Sequence, residues 1–283
     1  MKKLKFTFVG GDLRLAAAHF YIKKSGHMSN TFLLEKAENL SREEKCIVFP
    51  ISDVYVLPLP LSTDGKNINS PLSDLTLSIS DFFSFIPKES IVFGGLIAPE
   101  VLDTAKSYGI KIYDYYDFEE LQIKNALPTA EGAIEIALRE MPVTLFGTKS
   151  LITGYGRIGK VLSPMLKAMG SDVTVSTRSR DSLVWIEISG FHAMDSASLS
   201  ESAGKFDLII NTAPSKLFTY DVLKNIKDDA LILDLASRPG GVDMDAASSL
   251  GIKVIWALGL PGKCAPVTSG HIIGSTILNI LSF

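Results

Sequence analysis

The chain has 283 residues, and at roughly 100–200 residues per domain that length points to two domains. Hydrophobic residues make up 46% and charged residues 21%, which is enough apolar material for two cores and excludes extended disorder. The formal net charge is −3, and no lysine/arginine block tracks along the chain, which speaks against generic nucleic-acid binding.

In chain order, Lys2, Lys3 and Lys5 ahead of Phe6–Gly11 only faintly imitate a signal peptide, because Asp12 and Arg14 interrupt the apolar run. Lys5–Val9 reads as a strand ending in Gly10-Gly11, and Leu13–Lys24 as a helix. Cys46–Phe49, Val54–Leu57, Ser90–Phe93 and Lys111–Tyr113 read as further strands, and Pro99–Tyr108 as a helix closed by Gly109. Leu59–Asp74, rich in Pro, Ser, Asp and Asn, reads as a long surface loop. This alternation predicts a parallel sheet with helices on its faces. Asn125–Glu131 reads as a helix start with Thr129 as N-cap, so a boundary is expected there: domain 1 over 1–125 and domain 2 over 126–283.

From Lys149 the alternation is clearer. Ser150–Thr153, Asp172–Ser176, Phe191–Ala193, Asp207–Asn211, Ala230–Asp234 and Lys253–Trp256 read as six strands, and Thr268–Phe283 as a final helix. The longest apolar stretches, such as Ile91–Pro99, fall far short of the roughly 20 residues of a membrane span. The two cysteines, Cys46 and Cys264, are too few for a disulfide framework or a cysteine metal site. A soluble cytoplasmic protein is expected.

The segment Gly154-Tyr155-Gly156-Arg157-Ile158-Gly159 directly follows an apolar strand and opens a helix. Gly154 permits a tight turn, Gly156 lets the backbone approach a pyrophosphate, and Gly159 permits close helix–strand packing. With the second strand in place this predicts a dinucleotide site in a Rossmann-type doubly wound sheet. An NAD site usually has Asp or Glu at the tip of that second strand. Here Ser176-Thr177-Arg178-Ser179-Arg180 stands instead, which suits a 2′-phosphate, so NADP is expected, with NAD as the alternative. The loop Asn211-Thr212-Ala213-Pro214-Ser215 follows the fourth strand, where the nicotinamide ribose lies in such folds.

Four further stretches carry a resemblance: Leu233-Asp-Leu-Ala-Ser-Arg-Pro-Gly-Gly-Val-Asp243, Gly259-Leu-Pro-Gly-Lys-Cys-Ala-Pro-Val-Thr-Ser-Gly270, Gly10-Gly-Asp-Leu-Arg14 and Asn125–Glu131. Together with Gly154–Gly159, the chain resembles the A-subunit family of dipicolinate synthase. The resemblance implies a flavodoxin- or Rossmann-like first domain beside the cofactor domain. It also implies oxidation of a dihydrodipicolinate-level intermediate to pyridine-2,6-dicarboxylate with a nicotinamide cofactor. The setting it implies is the mother cell of a sporulating bacterium, with a flavoprotein-like B subunit as companion. A homo-oligomer is the base-rate expectation. A more distant similarity is to the D-2-hydroxyacid dehydrogenases, although their Pro-His histidine has no counterpart here. The alternatives are therefore a keto-acid reductase of that kind and a non-catalytic nucleotide-binding subunit.

For the substrate, expected in a cleft between the domains, Arg238 is the first candidate as a carboxylate clamp, since its planar fork fits a carboxylate and ligands bind at the carboxyl ends of strands. The competing reading is an arginine that pins its own Pro239-Gly240-Gly241 turn. Lys263 is a candidate contact to a carboxylate or to the nicotinamide amide region, or else a loop charge. Thr268 and Ser269 are candidates at the start of the last helix. Asp12 and Arg14 are either ligand groups or an ion pair fixing the Gly10-Gly11 turn. Asp234 either accepts a proton, orients Arg238 or satisfies loop amides. Trp256 reads as core.

Overall fold

The structure is a computed structural model in which residues 3–282 are described. Lys2 and Phe283, the ends of the expected leader-like run and of the expected final helix, lie outside them. The chain forms two compact units, 1–125 with 265–283 and 126–264.

In the first unit the order is β1 (Lys5–Val9), α1 (Leu13–Lys24), β2 (Met28–Phe32), β3 (Lys45–Cys46), β4 (Val54–Val56), α2 (Ile79–Phe85), β5 (Ile91–Gly94), α3 (Pro99–Ser107), β6 (Lys111–Asp114) and the first turns of α4 (Glu119–Glu140). All pairings are parallel and the strand order is β3-β2-β1-β4-β5-β6. β1 is buried almost throughout, as expected of a central parallel strand covered on both faces. The sequence reading missed β2, whose Met-Ser-Asn-Thr-Phe has no apolar alternation; it becomes a strand because β1 offers it a parallel edge. The strand expected over Cys46–Phe49 shrinks to two residues, and Ile47 and Val48 are exposed. The 59–74 segment has no regular elements, as expected, but it is not purely a surface loop. Leu59, Leu61 and Ile68 are buried, and the Asn69 carbonyl accepts the Gly11 N–H at 2.7 Å.

The second unit holds the rest of α4, β7 (Lys149–Thr153), α5 (Arg157–Ala168), β8 (Asp172–Thr177), α6 (Arg180–Ile188), β9 (His192–Asp195), α7 (Leu199–Ser202), β10 (Leu208–Asn211), α8 (Tyr220–Leu223), β11 (Leu231–Asp234), α9 (Met244–Ser249), β12 (Lys253–Trp256) and α10 (Leu260–Cys264). Its parallel order, β12-β11-β10-β7-β8-β9, is that of a dinucleotide-binding Rossmann sheet, with the order reversing between β7 and β10. Ile152, Val175, Ile210 and Leu233 from the strands bury against Leu162 and Leu166 of α5 and Ala133 and Ala137 of α4.

Three expectations differ from the structure. α4 runs unbroken from Glu119, so Thr129 lies inside the helix and is not its cap; Pro128 is tolerated there, and its carbonyl accepts from Cys264 Sγ at 3.0 Å. Part of the Gly259–Pro266 loop is helical, as α10. The last helix, α11 (Pro266–Leu281), which chain order assigned to the second domain, packs in the first unit. Its Ile272, Ile273 and Ile277 join the core of Phe6, Phe8 and Leu15. A Cβ on Gly270 would lie 2.3 Å from the Arg14 carbonyl, so the glycine is what lets α11 approach α1 so closely. No helix among the described residues is long and apolar enough to cross a membrane.

Candidate functional site

The turn after β7 has the geometry its glycines predict. Gly154 sits at φ +100°, a backbone region L side chains rarely adopt, and a Cβ there would be 2.6 Å from Thr212 Oγ1. A Cβ on Gly159 would lie 2.2 Å from the Gly154 carbonyl, so only glycine lets α5 start this close to the turn. A Cβ on Gly156 would meet nothing within 4 Å. Gly156 is also the N-cap of α5 and has no side chain to satisfy the first-turn amides. A helix N-terminus with open space at its capping glycine is what a pyrophosphate requires. Tyr155 precedes the cap, and Arg157 and Ile158 open the first turn.

Beside it, Gly154, Ser176, Thr177, Arg178, Ser179, Ser196, Ala213, Ser215 and Leu217 line a cleft of about 240 Å³. Ser176 is fully buried, and its hydroxyl lies 2.8 Å from that of Ser196. Ser179 caps α6 by accepting from the Ser182 N–H at 3.2 Å, which commits its hydroxyl locally. Arg178 and Arg180 are exposed. Sequence reasoning reached Ser215 but missed Ser196 and Leu217. They come from loops after other strands, and Ser196 is hidden in a serine-rich run.

The loops after β10 and β11 form one network. Asn211 is fully buried and Asp234 is 1% exposed. Thr153 Oγ1 donates to Asn211 Oδ1 at 2.6 Å, and Asn211 Nδ2 donates to Asp234 Oδ1 at 2.8 Å. Asp234 also accepts the Ala236 N–H at 3.0 Å and the Gly241 N–H at 2.7 Å. Its carboxylate therefore accepts three hydrogen bonds, two of them from the 235–241 loop and one from Asn211. The Trp256 indole N–H donates to the Ala236 carbonyl at 2.9 Å from the other side. Gly241 has to be glycine, because a Cβ would be 2.1 Å from Asn211 Nδ2. Thr212 Oγ1 donates to the Thr153 carbonyl at 2.8 Å, tying the nicotinamide-side loop to the glycine turn; Pro214 is exposed at its tip.

Arg238 stands exposed at the crest of this loop, with its guanidinium carbon 5.7 Å from the Trp256 ring centroid. Among the described residues it makes no ion pair or side-chain hydrogen bond. The turn it belongs to is pinned by Asp234 and Trp256, so the reading in which Arg238 pins its own turn lacks the bonds it needs.

The remaining candidates separate. Lys263 is exposed on α10 of the second unit. In the first unit, Asp12 caps α1 and closes an ion pair with Arg14 at 2.9 Å; Arg14 Nη2 also donates to the Leu59 carbonyl at 2.5 Å. This is the ion-pair arrangement at the Gly10-Gly11 turn. α11 starts at Pro266, not at Thr268. The Ser269 N–H already donates to the Ala265 carbonyl at 3.0 Å and its side chain is buried, so neither is presented as a helix-terminal anion donor; Thr268 is exposed one residue earlier. His192, the one histidine of the second unit, pairs with Asp172 at the start of β8, the opposite end of the sheet from the glycine turn.

Comparison with known proteins gives consistent matches. Residues 5–116 match the family described as the N-terminal domain of the dipicolinate synthase A subunit. Residues 129–248 match the D-isomer specific 2-hydroxyacid dehydrogenase, NAD binding domain. The chain is 29% identical to the A subunit of dipicolinate synthase from Bacillus subtilis (strain 168) over 287 positions, 99% of this chain and 96% of that protein. Its fold matches the crystal structure of the dipicolinate synthase A chain from Bacillus subtilis with a TM-score of 0.88 and 28% identity, over 100% and 97% of the two chains. It matches the corresponding dipicolinate synthase structure from Bacillus halodurans with a TM-score of 0.90 and 24% identity, over 99% and 98%. The second unit is an NAD-binding domain, and its cofactor is a nicotinamide dinucleotide.

Proposed function

Because the chain belongs to the A-subunit family of dipicolinate synthase, we propose that it oxidises a dihydrodipicolinate-type cyclic dicarboxylate to dipicolinate with NADP, serving endospore formation in the cytoplasm alongside a B subunit. The observation that carries this is Arg238: an exposed guanidinium with no ion pair among the described residues, presented by a loop that other residues hold in place. Its planar N–H fork matches a carboxylate bidentately.

A bound nicotinamide would supply the hydride acceptor, and the proton lost with the hydride would pass to solvent; aromatisation of the ring supplies driving force, so a strong protein base is not required. The first-turn amides of α5 hold the pyrophosphate. Thr177 and Arg178 take the 2′-phosphate, with Arg180 adding positive charge at the same strand tip. The Asn211–Pro214 loop packs the nicotinamide ribose. Arg238 binds one substrate carboxylate and orients the ring, and Lys263 is the candidate for the second. Asp234 acts through the loop that carries Arg238.

The test is Arg238→Ala. Turnover at low substrate concentration should fall about tenfold to a hundredfold, the loss of one charge-assisted contact of roughly 1.5–3 kcal/mol, while NADP still binds. Unchanged turnover would remove Arg238 from the reaction. The hydroxyacid-dehydrogenase match of residues 129–248 favours a second reading, reduction of a 2-keto acid. Oxidation of NADPH by glyoxylate or hydroxypyruvate would support it.

A further inference from the structure

We propose that Trp256 is the positioning residue for Arg238, fixing the guanidinium that receives the substrate carboxylate. This rests on the assignment of Arg238 as the carboxylate clamp. Arg238 lacks a partner of its own: it is exposed, and among the described residues no side-chain carboxylate or carbonyl holds its guanidinium. An arginine side chain without such a partner keeps rotamer entropy that it must lose on binding a ligand.

Trp256 supplies what is missing through three contacts. Its indole N–H bonds the Ala236 carbonyl at 2.9 Å, fixing the loop two residues before Arg238. Its six-membered ring lies under Gly240, two residues after Arg238, where a Cβ would come within 3.2 Å of Trp256 Cζ2. Its ring system lies under the guanidinium itself, 5.7 Å from centroid to Cζ, inside cation–π range. A cation held over an aromatic face gives up none of its N–H groups, so all five donors stay available for a carboxylate. A carboxylate partner would fix the arginine equally well, but it would occupy those donors and neutralise the charge. The indole therefore orders the arginine before binding without competing with the ligand. Trp256 ends β12 and pairs in register with Asp234, so both supports of the loop come from adjacent strand ends.

The test is a binding cycle on the full chain saturated with NADP, using pyridine-2,6-dicarboxylate as the probe and calorimetry as the readout. The variants are Arg238→Ala, Trp256→Leu, Trp256→Phe and the doubles of each tryptophan variant with Arg238→Ala. Trp256→Leu removes the face and the N–H and should weaken probe binding about two- to twentyfold, the range of a cation–π contact. Trp256→Phe keeps a ring and should weaken it less. Neither should add a further loss once Arg238 is alanine, and NADP affinity should stay at the wild-type value throughout. If Arg238→Ala binds the probe like wild type, the clamp assignment itself fails. If Arg238→Ala weakens binding but the tryptophan variants do nothing, or cost as much without Arg238 as with it, the clamp stands and the positioning role is overturned. Should Trp256→Leu not fold, the Trp256→Phe cycle decides alone by the same criterion.

Discussion

Asp234 gives the sharpest prediction, because its geometry assigns it to the loop and a catalytic reading assigns it to a proton. Asp234→Asn keeps the shape and exchanges one acceptor oxygen for an NH2. If that group faces the Gly241 N–H, one buried donor is stranded. If it faces the other way, both Ala236 N–H and Asn211 Nδ2 lose their acceptor. The milder arrangement forfeits one charge-assisted bond and leaves one buried amide unsatisfied, together about 3 kcal/mol. For a unit of this size that corresponds to roughly 6–15 °C in unfolding midpoint. Thermal unfolding followed by circular dichroism, with kinetics at a temperature where the variant is folded, separates the two roles. The loop role predicts a large drop in midpoint and a raised substrate KM, because the Arg238 loop loosens, with residual turnover. A midpoint within about 2 °C of wild type together with abolished turnover would refute it and make Asp234 the proton acceptor.

The other predictions concern the cofactor turn and the first unit. Gly156→Ala should leave the unfolding midpoint nearly unchanged but weaken NADP binding, since its Cβ enters open space that a pyrophosphate would fill. Gly159→Ala should destabilise the second unit by about 1–3 kcal/mol or more, because its Cβ strikes the Gly154 carbonyl; the two midpoints check this. Arg178→Ala should raise the NADP Kd about tenfold to a hundredfold and leave the NAD Kd within about threefold, measured by fluorescence titration. His19 is fully buried, and that burial holds its imidazole below the usual 6.5 despite Glu44 at 3.4 Å. The unfolded chain then binds the extra proton as pH drops below about 6.5, so this stability is complete above that pH and is lost on acidification towards the lower folded pKa. Burial pushes Glu44 up, but hydrogen bonds from Lys23 and Ser41 outweigh it and hold Glu44 at about 2, so its contribution is lost only at more acid pH, below about 4.5. Chemical unfolding of wild type and His19→Gln between pH 7 and 5 should show the first loss in the wild type alone.

The cofactor turn was legible in the sequence because its constraints are local: three glycines, a strand before and a helix after fix one backbone path within ten residues. β12 was legible to the residue, and the other strands of the second unit to within one or two. β2 was not, since its polar Met28–Phe32 becomes a strand through pairing with β1. Nor was the place of α11, whose contacts are made by residues some 250 positions earlier in the chain. At the candidate site, sequence position pointed to Arg238 but not to what supports it. Trp256 read as core, and its indole N–H bond to Ala236 exists only once β11 and β12 are adjacent.

The central claim, that this chain is a catalytic subunit oxidising a dihydrodipicolinate-type ring with NADP, is tested most directly by spectroscopy on the purified chain without a partner. Freshly generated dihydrodipicolinate is supplied with NADP, then with NAD, while absorbance of reduced cofactor and of the pyridine product is followed. The account predicts that both signals grow together, faster with NADP and well above spontaneous oxidation. Absence of both signals while NADP binds normally would contradict it and leave this chain a nucleotide-binding subunit whose partner carries the chemistry.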